Sequence, residues 1–184
     1  MIMQLFDKDM VKIMLIFSIT KGSKFTRNEL KEKTGMNNVI IDNTLNALLQ
    51  SCFLKKDKRL YSFNFKHSHE IKWIEDILNR EYYETKALPL EIYFLIIDLL
   101  YSLKNVKGAN VYFFGSYTKW LFRKYSDIDI AFINVDKSKV SKTLRKLEEK
   151  YNKKLDSHFF SKNFYKNKKD PLVKDILKNG IKLI

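Results

Sequence analysis

Two aspartates separated by one residue stand in an otherwise apolar segment, "SDIDIAFI", at residues 126–133. Because side chains of a strand alternate between its two faces, Asp127 and Asp129 are expected to point to the same side. Two such carboxylates repel each other and resist burial, so we expect either a cation beside them or a strand end that is exposed to water. Mg²⁺ takes oxygen ligands and keeps part of its shell for water and phosphates. The spacing therefore predicts a site for one or two Mg²⁺ ions.

A third acid interrupts a later apolar segment, "KKLDSHFF", in which Asp156 lies. If this segment is a strand of the same sheet, Asp156 comes opposite the first pair, and we predict that it belongs to the same site. His158 follows two residues later and shares the face of Asp156, but a supporting role for it is not favoured.

A glycine and a serine follow the apolar segment "VYFF". Gly115 allows a phosphate to approach the backbone closely. The hydroxyl of Ser116 and the backbone of a starting helical turn can donate hydrogen bonds to the phosphate oxygens. The pattern predicts a phosphate site beside the aspartates.

Alternating strands and helices must position these groups. Apolar runs predict strands at "VYFF", "IDIAFI" and "LDSHFF", and helices at 137–151 and 170–179. The first helix places its apolar residues on one face. The second has Asp170 as N-cap and Pro171 at its first position. This alternation predicts a mixed β-sheet with flanking helices over residues 106–184.

The first part of the chain has a different order of elements. Residues 8–18 have helical spacing, and Thr26 and Glu29 match a capping box at the start of a second helix. A third helix follows, and apolar residues around a charged turn at 54–65 predict a hairpin. Helix, helix, turn, helix and hairpin is the order of a winged helix-turn-helix, which we assign to residues 1–66.

Helical patterns at 69–86 and from Pro89 to about Lys104 predict connecting helices, which we assign to residues 67–105. The predicted fold class is therefore α+β, with a winged helix-turn-helix, connecting helices and a C-terminal mixed sheet.

The C-terminal pattern resembles that of the polymerase-β-like nucleotidyltransferases, in their minimal branch, over residues 109–184. The shared motif is Gly-Ser, ten residues, Asp-x-Asp and a third acid on a later strand. The whole chain is similar to archaeal proteins that join such a domain to a winged helix-turn-helix. The resemblance thus implies a nucleotidyltransferase domain.

This resemblance implies transfer of a nucleoside monophosphate from an NTP, chiefly ATP, with Mg²⁺ as cofactor. Asp127, Asp129 and Asp156 would be both metal ligands and catalytic residues, with Asp156 helping to deprotonate the incoming hydroxyl. The acceptor would be a hydroxyl of RNA or of a protein, as in antitoxin-like members that modify a HEPN-type partner. The residues implied for nucleotide binding are Gly115, Ser116, Lys119, Arg123 and Ser126.

The motif departs from the family after the serine. Family members often continue Gly-Ser-x-Ala-Arg-Gly, whereas this chain reads "GSYTKW", with Lys119 at the arginine and Trp120 at the second glycine. Lys119, Arg123 and Lys124 keep positive charge for phosphates, while the indole would reshape the nucleotide site. An alternative stays open, in which the domain is inactive and the aspartates are solvated strand ends.

The formal net charge of +14 and the pI near 9.6 favour a polyanionic partner, although Lys-rich composition alone is weak support. The third predicted helix carries no Lys or Arg, so the basic residues flank it. A winged helix used for protein docking or for a homodimer is therefore a nearly equal alternative to DNA binding. The DNA-contacting residues that we predict are Arg27, Asn38, Asn43, Lys55, Lys56, Lys58 and Arg59.

The longest apolar segment, 88–103, is broken by Glu91 and Asp98, which predicts a buried helix and no membrane partner. The start of the sequence lacks the pattern of a signal peptide, and we expect a cytoplasmic protein. The lone Cys52 lies in an apolar pattern and is predicted to be a small core residue.

Three function classes remain from the sequence. The first is a metal-dependent nucleotidyltransferase. The second is a DNA-binding regulator whose C-terminal half binds nucleotide without turnover. The third is an interaction protein that neutralises a partner by binding.

Overall fold

The structure is a computed structural model that describes residues 6–64, 68–104, 106 and 108–184. The chain divides into two compact units between Ala87 and Leu88. The predicted boundaries at 66, 67 and 105 lie outside the described residues, and the three-part division stays a prediction.

The described part of the N-terminal unit contains four helices and a small antiparallel sheet with the strand order β1-β3-β2. Its elements are α1 (Lys8–Ile19), β1 (Phe25–Thr26), α2 (Arg27–Thr34), α3 (Asn38–Gln50), β2 (Leu54–Asp57), β3 (Leu60–Phe63) and α4 (Ser68–Glu84). Apolar side chains of α1, α3 and α4 are buried in its core, among them Ile13, Leu45 and Ile74.

Local signals in the sequence explain where these helices begin and end. Thr26 accepts a hydrogen bond from the backbone of Glu29, whose carboxylate accepts one from the Thr26 backbone, so the predicted capping box is confirmed. Gly35 ends α2 in the left-handed conformation, with φ of 66°. The side chain of Asn37 caps α3. The predicted hairpin is also confirmed, as β2 and β3.

The prediction for Cys52 is wrong, because its side chain is exposed. Helix α3 ends before it, and Cys52 has φ of 61° in the turn that leads to β2. The helical pattern therefore does not extend to this residue, and the left-handed turn directs its side chain to solvent.

The C-terminal unit is a mixed α+β structure around a four-stranded sheet with the order β6-β5-β4-β7. Strands β5 and β6 are parallel, and the other pairs are antiparallel. The elements are α5 (Leu90–Ser102), β4 (Asn110–Phe114), β5 (Ile128–Ile133), α6 (Lys137–Tyr151), β6 (Leu155–Phe160), α7 (Pro171–Asn179) and β7 (Ile181–Lys182). Short 3-10 helices lie at Tyr117–Lys119 and Lys162–Lys166.

One face of this sheet carries Asp129 next to a buried apolar cluster. Ala131 and Ile133 of β5 belong to a buried cluster with Phe114 of β4 and with Val173 and Ile176 of α7. Asp129 is two residues before Ala131 in the strand and therefore lies on the same face, near the start of β5. The apolar residues of this face hold the strand in the core, while the first residue of β5 on this face is Asp129.

Among the described residues, each helix is too short or too polar to cross a bilayer.

Candidate active site

The strand register brings two of the three predicted acids together. Asp129 of β5 is the direct partner of Asp156 in the parallel strand β6, and Phe114 of β4 is its partner on the other side. Gly115 follows Phe114 and therefore also lies beside Asp129. Three segments that are distant in the sequence thus meet at the start of β5.

Gly115 is required by the approach of Asp129 to the backbone. Its φ of +79° lies in the left-handed region, which favours glycine. A Cβ atom at this position would overlap the Asp129 carboxylate. The backbone N–H of the next residue, Ser116, donates a hydrogen bond to that carboxylate. The Gly-Ser pair therefore positions the carboxylate of Asp129, and its role in phosphate binding stays a prediction.

The Asp129 carboxyl has a raised pKa, first because burial disfavours its charged form. Repulsion from Asp156 and, less strongly, from Asp127 raises this pKa further, while His158 and the Ser116 N–H act in the opposite direction. A divalent cation between the two paired carboxylates would relieve this repulsion. The donor set therefore fits Mg²⁺ or a similar ion.

His158 is a neighbour of the acids that the sequence did not favour. Its Nε2 atom lies 3.3 Å from an Asp156 carboxylate oxygen. Donor atoms of Asp129, Asp156 and His158 all lie within 4.8 Å of one another, the one such group in the described part of the chain. The His158 ring packs against the Phe114 ring, with 5.4 Å between the centroids. The sequence signal for this position was that His158 follows Asp156 by two residues, which places both side chains on the same face of a strand.

Asp127 lies just before β5 and contacts a lysine. Its carboxylate is 2.8 Å from Lys154 Nζ, and both side chains are partly exposed. This contact raises the pKa of Lys154. Asp127 is close enough to Asp129 to affect its pKa, but its carboxylate is turned to the lysine. Its role as a metal ligand stays a prediction.

The predicted nucleotide-binding residues after Ser116 lie in the loop between β4 and β5. Lys119 forms an ion pair of 2.8 Å with Asp175 of α7. The Arg123 backbone N–H donates to the Ser126 hydroxyl at 2.7 Å, which closes a turn, and the Arg123 side chain is exposed. Lys119 is therefore engaged with α7, while the side chain of Arg123 faces solvent.

Trp120 occupies the left-handed backbone region, with φ of 56°. The family that the sequence resembles often has its second glycine at this position. The chain therefore keeps the backbone conformation that favours glycine, although the residue is a tryptophan. The indole is 55% exposed and packs partly on Phe122, which in turn stacks on Tyr117 with 4.5 Å between centroids. The substitution thus adds an accessible aromatic surface to the loop.

The predicted DNA-contacting residues of the N-terminal unit fall into two groups. Arg27 is paired with Asp42, at 2.9 Å from Nη2 to Oδ2, and also contacts the Asn38 carbonyl at 3.3 Å. Asn43 is exposed on α3. The exposed basic residues of the β2–β3 hairpin are Lys55, Lys56, Lys58 and Arg59. Arg27 is therefore engaged within the protein, while the hairpin side chains face solvent.

Comparison with known proteins supports a nucleotidyltransferase domain in the C-terminal part of the chain. Residues 95–184 match the family model described as "Polymerase beta, Nucleotidyltransferase". The match supports the predicted nucleotidyltransferase domain and covers every element that carries Asp129, Asp156 and Gly115. No curated protein matches the chain.

Proposed function

We propose that the C-terminal domain transfers a nucleoside monophosphate from an NTP, chiefly ATP, to a hydroxyl of a protein or an RNA. The observation that carries this proposal is the pairing of Asp129 with Asp156 beside Gly115 and Ser116. Carboxylates are held together there despite their repulsion, next to a glycine turn. An acid with a perturbed pKa, such as Asp129, is typical of functional sites.

Each group has a proposed task in this reaction. Asp129 and Asp156, with Asp127 if it leaves Lys154, would hold a divalent ion. Such an ion supplies charge neutralisation for the triphosphate and favours ionisation of the acceptor hydroxyl. Ser116, with the exposed side chain of Arg123, would bind phosphate oxygens. The turn that holds Ser126 would keep the loop in place.

Asp156 is proposed as the base because it is the more accessible of the paired acids. Its side chain is 51% exposed, so an incoming hydroxyl can reach a carboxylate oxygen and transfer its proton there. Nucleotide binding and chemistry should therefore separate at this residue.

The test is incubation of the protein with labelled ATP, Mg²⁺ and extract of its own source. Wild type should transfer label to protein or RNA, while Asp156→Asn should lose transfer by about 100-fold or more and keep much of its ATP affinity. Tight ATP binding by wild type without any transfer would favour a second function. That function is a regulator that binds nucleotide without turnover, and the exposed indole of Trp120 at the glycine position is the observation that favours it.

We also propose that the N-terminal unit is a winged helix-turn-helix, supported by its element order and by the exposed β2–β3 hairpin. If it binds DNA, the hairpin cations contact phosphates. If it does not bind DNA, it serves for protein docking or for a homodimer, and exposed Val39 on α3 favours this alternative. Size-exclusion chromatography with light scattering, with and without DNA, distinguishes a homodimer from DNA binding.

A further inference from the structure

We propose that His158 is a ligand of the metal ion in the active site, and that this ion is therefore better matched by Mn²⁺ than by Mg²⁺. The inference rests on the proposed metal-dependent function. It goes beyond that function by assigning a nitrogen ligand and a metal preference. An imidazole ligand suits first-row transition ions, whereas Mg²⁺ binds through oxygen.

The distance between the donors suits a shared ion. Two ligands about 2.1 Å from one metal are separated by about 3.0 Å in octahedral and about 3.4 Å in tetrahedral geometry. Nε2 of His158 and Oδ2 of Asp156 are 3.3 Å apart. The third donor, on Asp129, lies within 4.8 Å of both, so a small side-chain movement brings it to the ion.

The fold holds these donors on one side of the sheet. Asp156 and His158 are two residues apart in β6, and their direct partners in β5 are Asp129 and Ala131. Both strands are continuous there, so the register does not depend on a loop. The edge-to-face contact with Phe114 limits rotation of the imidazole and keeps a nitrogen near Asp156.

Asp127 does not join the group of donors around Asp129, so a ligand position is left for the imidazole of His158. In the motif, Asp127 would be expected beside Asp129, but its carboxylate contacts Lys154 at 2.8 Å. His158 is the donor that instead completes a group of three with Asp129 and Asp156. The assignment of His158 therefore explains how the site can supply three protein ligands with Asp127 engaged elsewhere.

The experiment is a calorimetric titration of the metal-free full chain with MnCl₂ and with MgCl₂, each alone and with a non-hydrolysable ATP analogue. The test variant is His158→Phe, which keeps an aromatic ring against Phe114 and removes the nitrogens. The control is His69→Phe on the exposed surface of α4. We expect wild type to bind Mn²⁺ more tightly than Mg²⁺. His158→Phe should lose about tenfold or more in Mn²⁺ affinity and change little for Mg²⁺.

A spectroscopic readout makes the test independent of activity and of small folding defects. Pulsed electron paramagnetic resonance of bound Mn²⁺ should show nitrogen coupling from an imidazole in wild type and in His69→Phe, but not in His158→Phe. Bound Mn²⁺ without nitrogen coupling in wild type would overturn the assignment of His158 and leave the proposed function intact.

A further variant tests the acid site on which both proposals rest. If Asp129→Asn combined with Asp156→Asn keeps Mn²⁺ binding, the ion lies elsewhere, and the proposed site fails together with the role of His158. Absence of binding in wild type, even with the ATP analogue, would overturn both. Loss of Mn²⁺ affinity in the double variant together with nitrogen coupling in wild type supports both.

Discussion

In the N-terminal unit, Arg27 and Asp42 lie 15 residues apart in the sequence and form an ion pair. In the C-terminal unit, by contrast, two acids are neighbours, because Asp129 of β5 is the register partner of Asp156 of β6. The first pairing lowers the pKa of Asp42 through the hydrogen bond from Arg27. The second arrangement raises the pKa of Asp129 through burial and repulsion. Opposite charges in contact favour the folded first unit slightly, because the pair is exposed to solvent. Like charges held together oppose folding of the second, and such a feature is expected where a ligand or a reaction needs it.

The largest expected effect tests whether the like charges are required for chemistry. Asp129→Asn keeps the shape of the side chain and removes one of the paired charges, so transfer of label from ATP should fall by about 100-fold or more. The measurement is the initial rate at saturating Mg²⁺ or Mn²⁺.

The matched control for this variant is Asp136→Asn. Asp136 is an exposed acid of the same unit whose side chain caps α6, and Asn is also a good cap, so the rate should stay within about twofold of wild type. Equal rates for Asp129→Asn and wild type would show that the acids at the start of β5 are not part of the reaction.

The second prediction compares one glycine from each unit. Gly22 and Gly115 have φ of +77° and +79°, so Ala at either position should cost about 1–2 kcal/mol from the backbone alone. At Gly22 a Cβ atom meets nothing within 4 Å, whereas at Gly115 it overlaps the Asp129 carboxylate. Gly115→Ala should therefore cost about 1–3 kcal/mol more or displace Asp129.

Urea unfolding of both variants measures this difference, and calorimetry with an ATP analogue follows the site. Gly22→Ala should keep nucleotide and metal affinity, while Gly115→Ala should lose both. Similar losses of stability with intact binding in the two variants would show that the Gly115 turn adapts, and that its close contact with Asp129 is not needed.

The sequence was most informative where a pattern is local. Strand β5, helix α6 and strand β6 have the predicted bounds, because an aliphatic run and a one-sided helix carry their own periodicity. Strands β1 and β7, of two residues each, were not predicted, since they exist only through pairing with distant strands. The place of His158 also depends on register, which brings β6 beside β5. The partner of Arg27 depends on the packing of two helices in the same way.

A third prediction removes exposed charge from the N-terminal unit. If the hairpin binds DNA, replacing its four cations by Ala should weaken binding about tenfold or more at 50 mM salt, equally for all sequences. The slope of log affinity against log salt concentration should become shallower by up to about 3.6, because fewer counterions are released on binding. The four residues are Lys55, Lys56, Lys58 and Arg59.

The control for the hairpin variant removes an equal charge from α6. It changes four exposed residues to Ala, namely Lys139, Lys142, Arg145 and Lys146. Fluorescence anisotropy with two unrelated duplexes should show a small effect of this control. If the hairpin variant binds DNA as wild type does, the N-terminal unit is better explained by protein docking.

The smallest expected effect addresses the comparison of charges directly. Without divalent ions, the raised pKa of Asp129 means that its charged form disfavours the folded state at pH values above the ordinary carboxyl range. Asp129→Asn should therefore keep or raise the melting temperature, by about 1–4 °C. The pKa of Asp42 is lowered instead, since its charged form favours the folded state, and Asp42→Asn should lower the melting temperature only slightly because water screens this exposed pair. Scanning calorimetry at pH 7 with EDTA measures both. A lower melting temperature for Asp129→Asn would mean that hydrogen bonds such as that from Ser116 outweigh the repulsion, and that Asp129 stabilises its unit as Asp42 does.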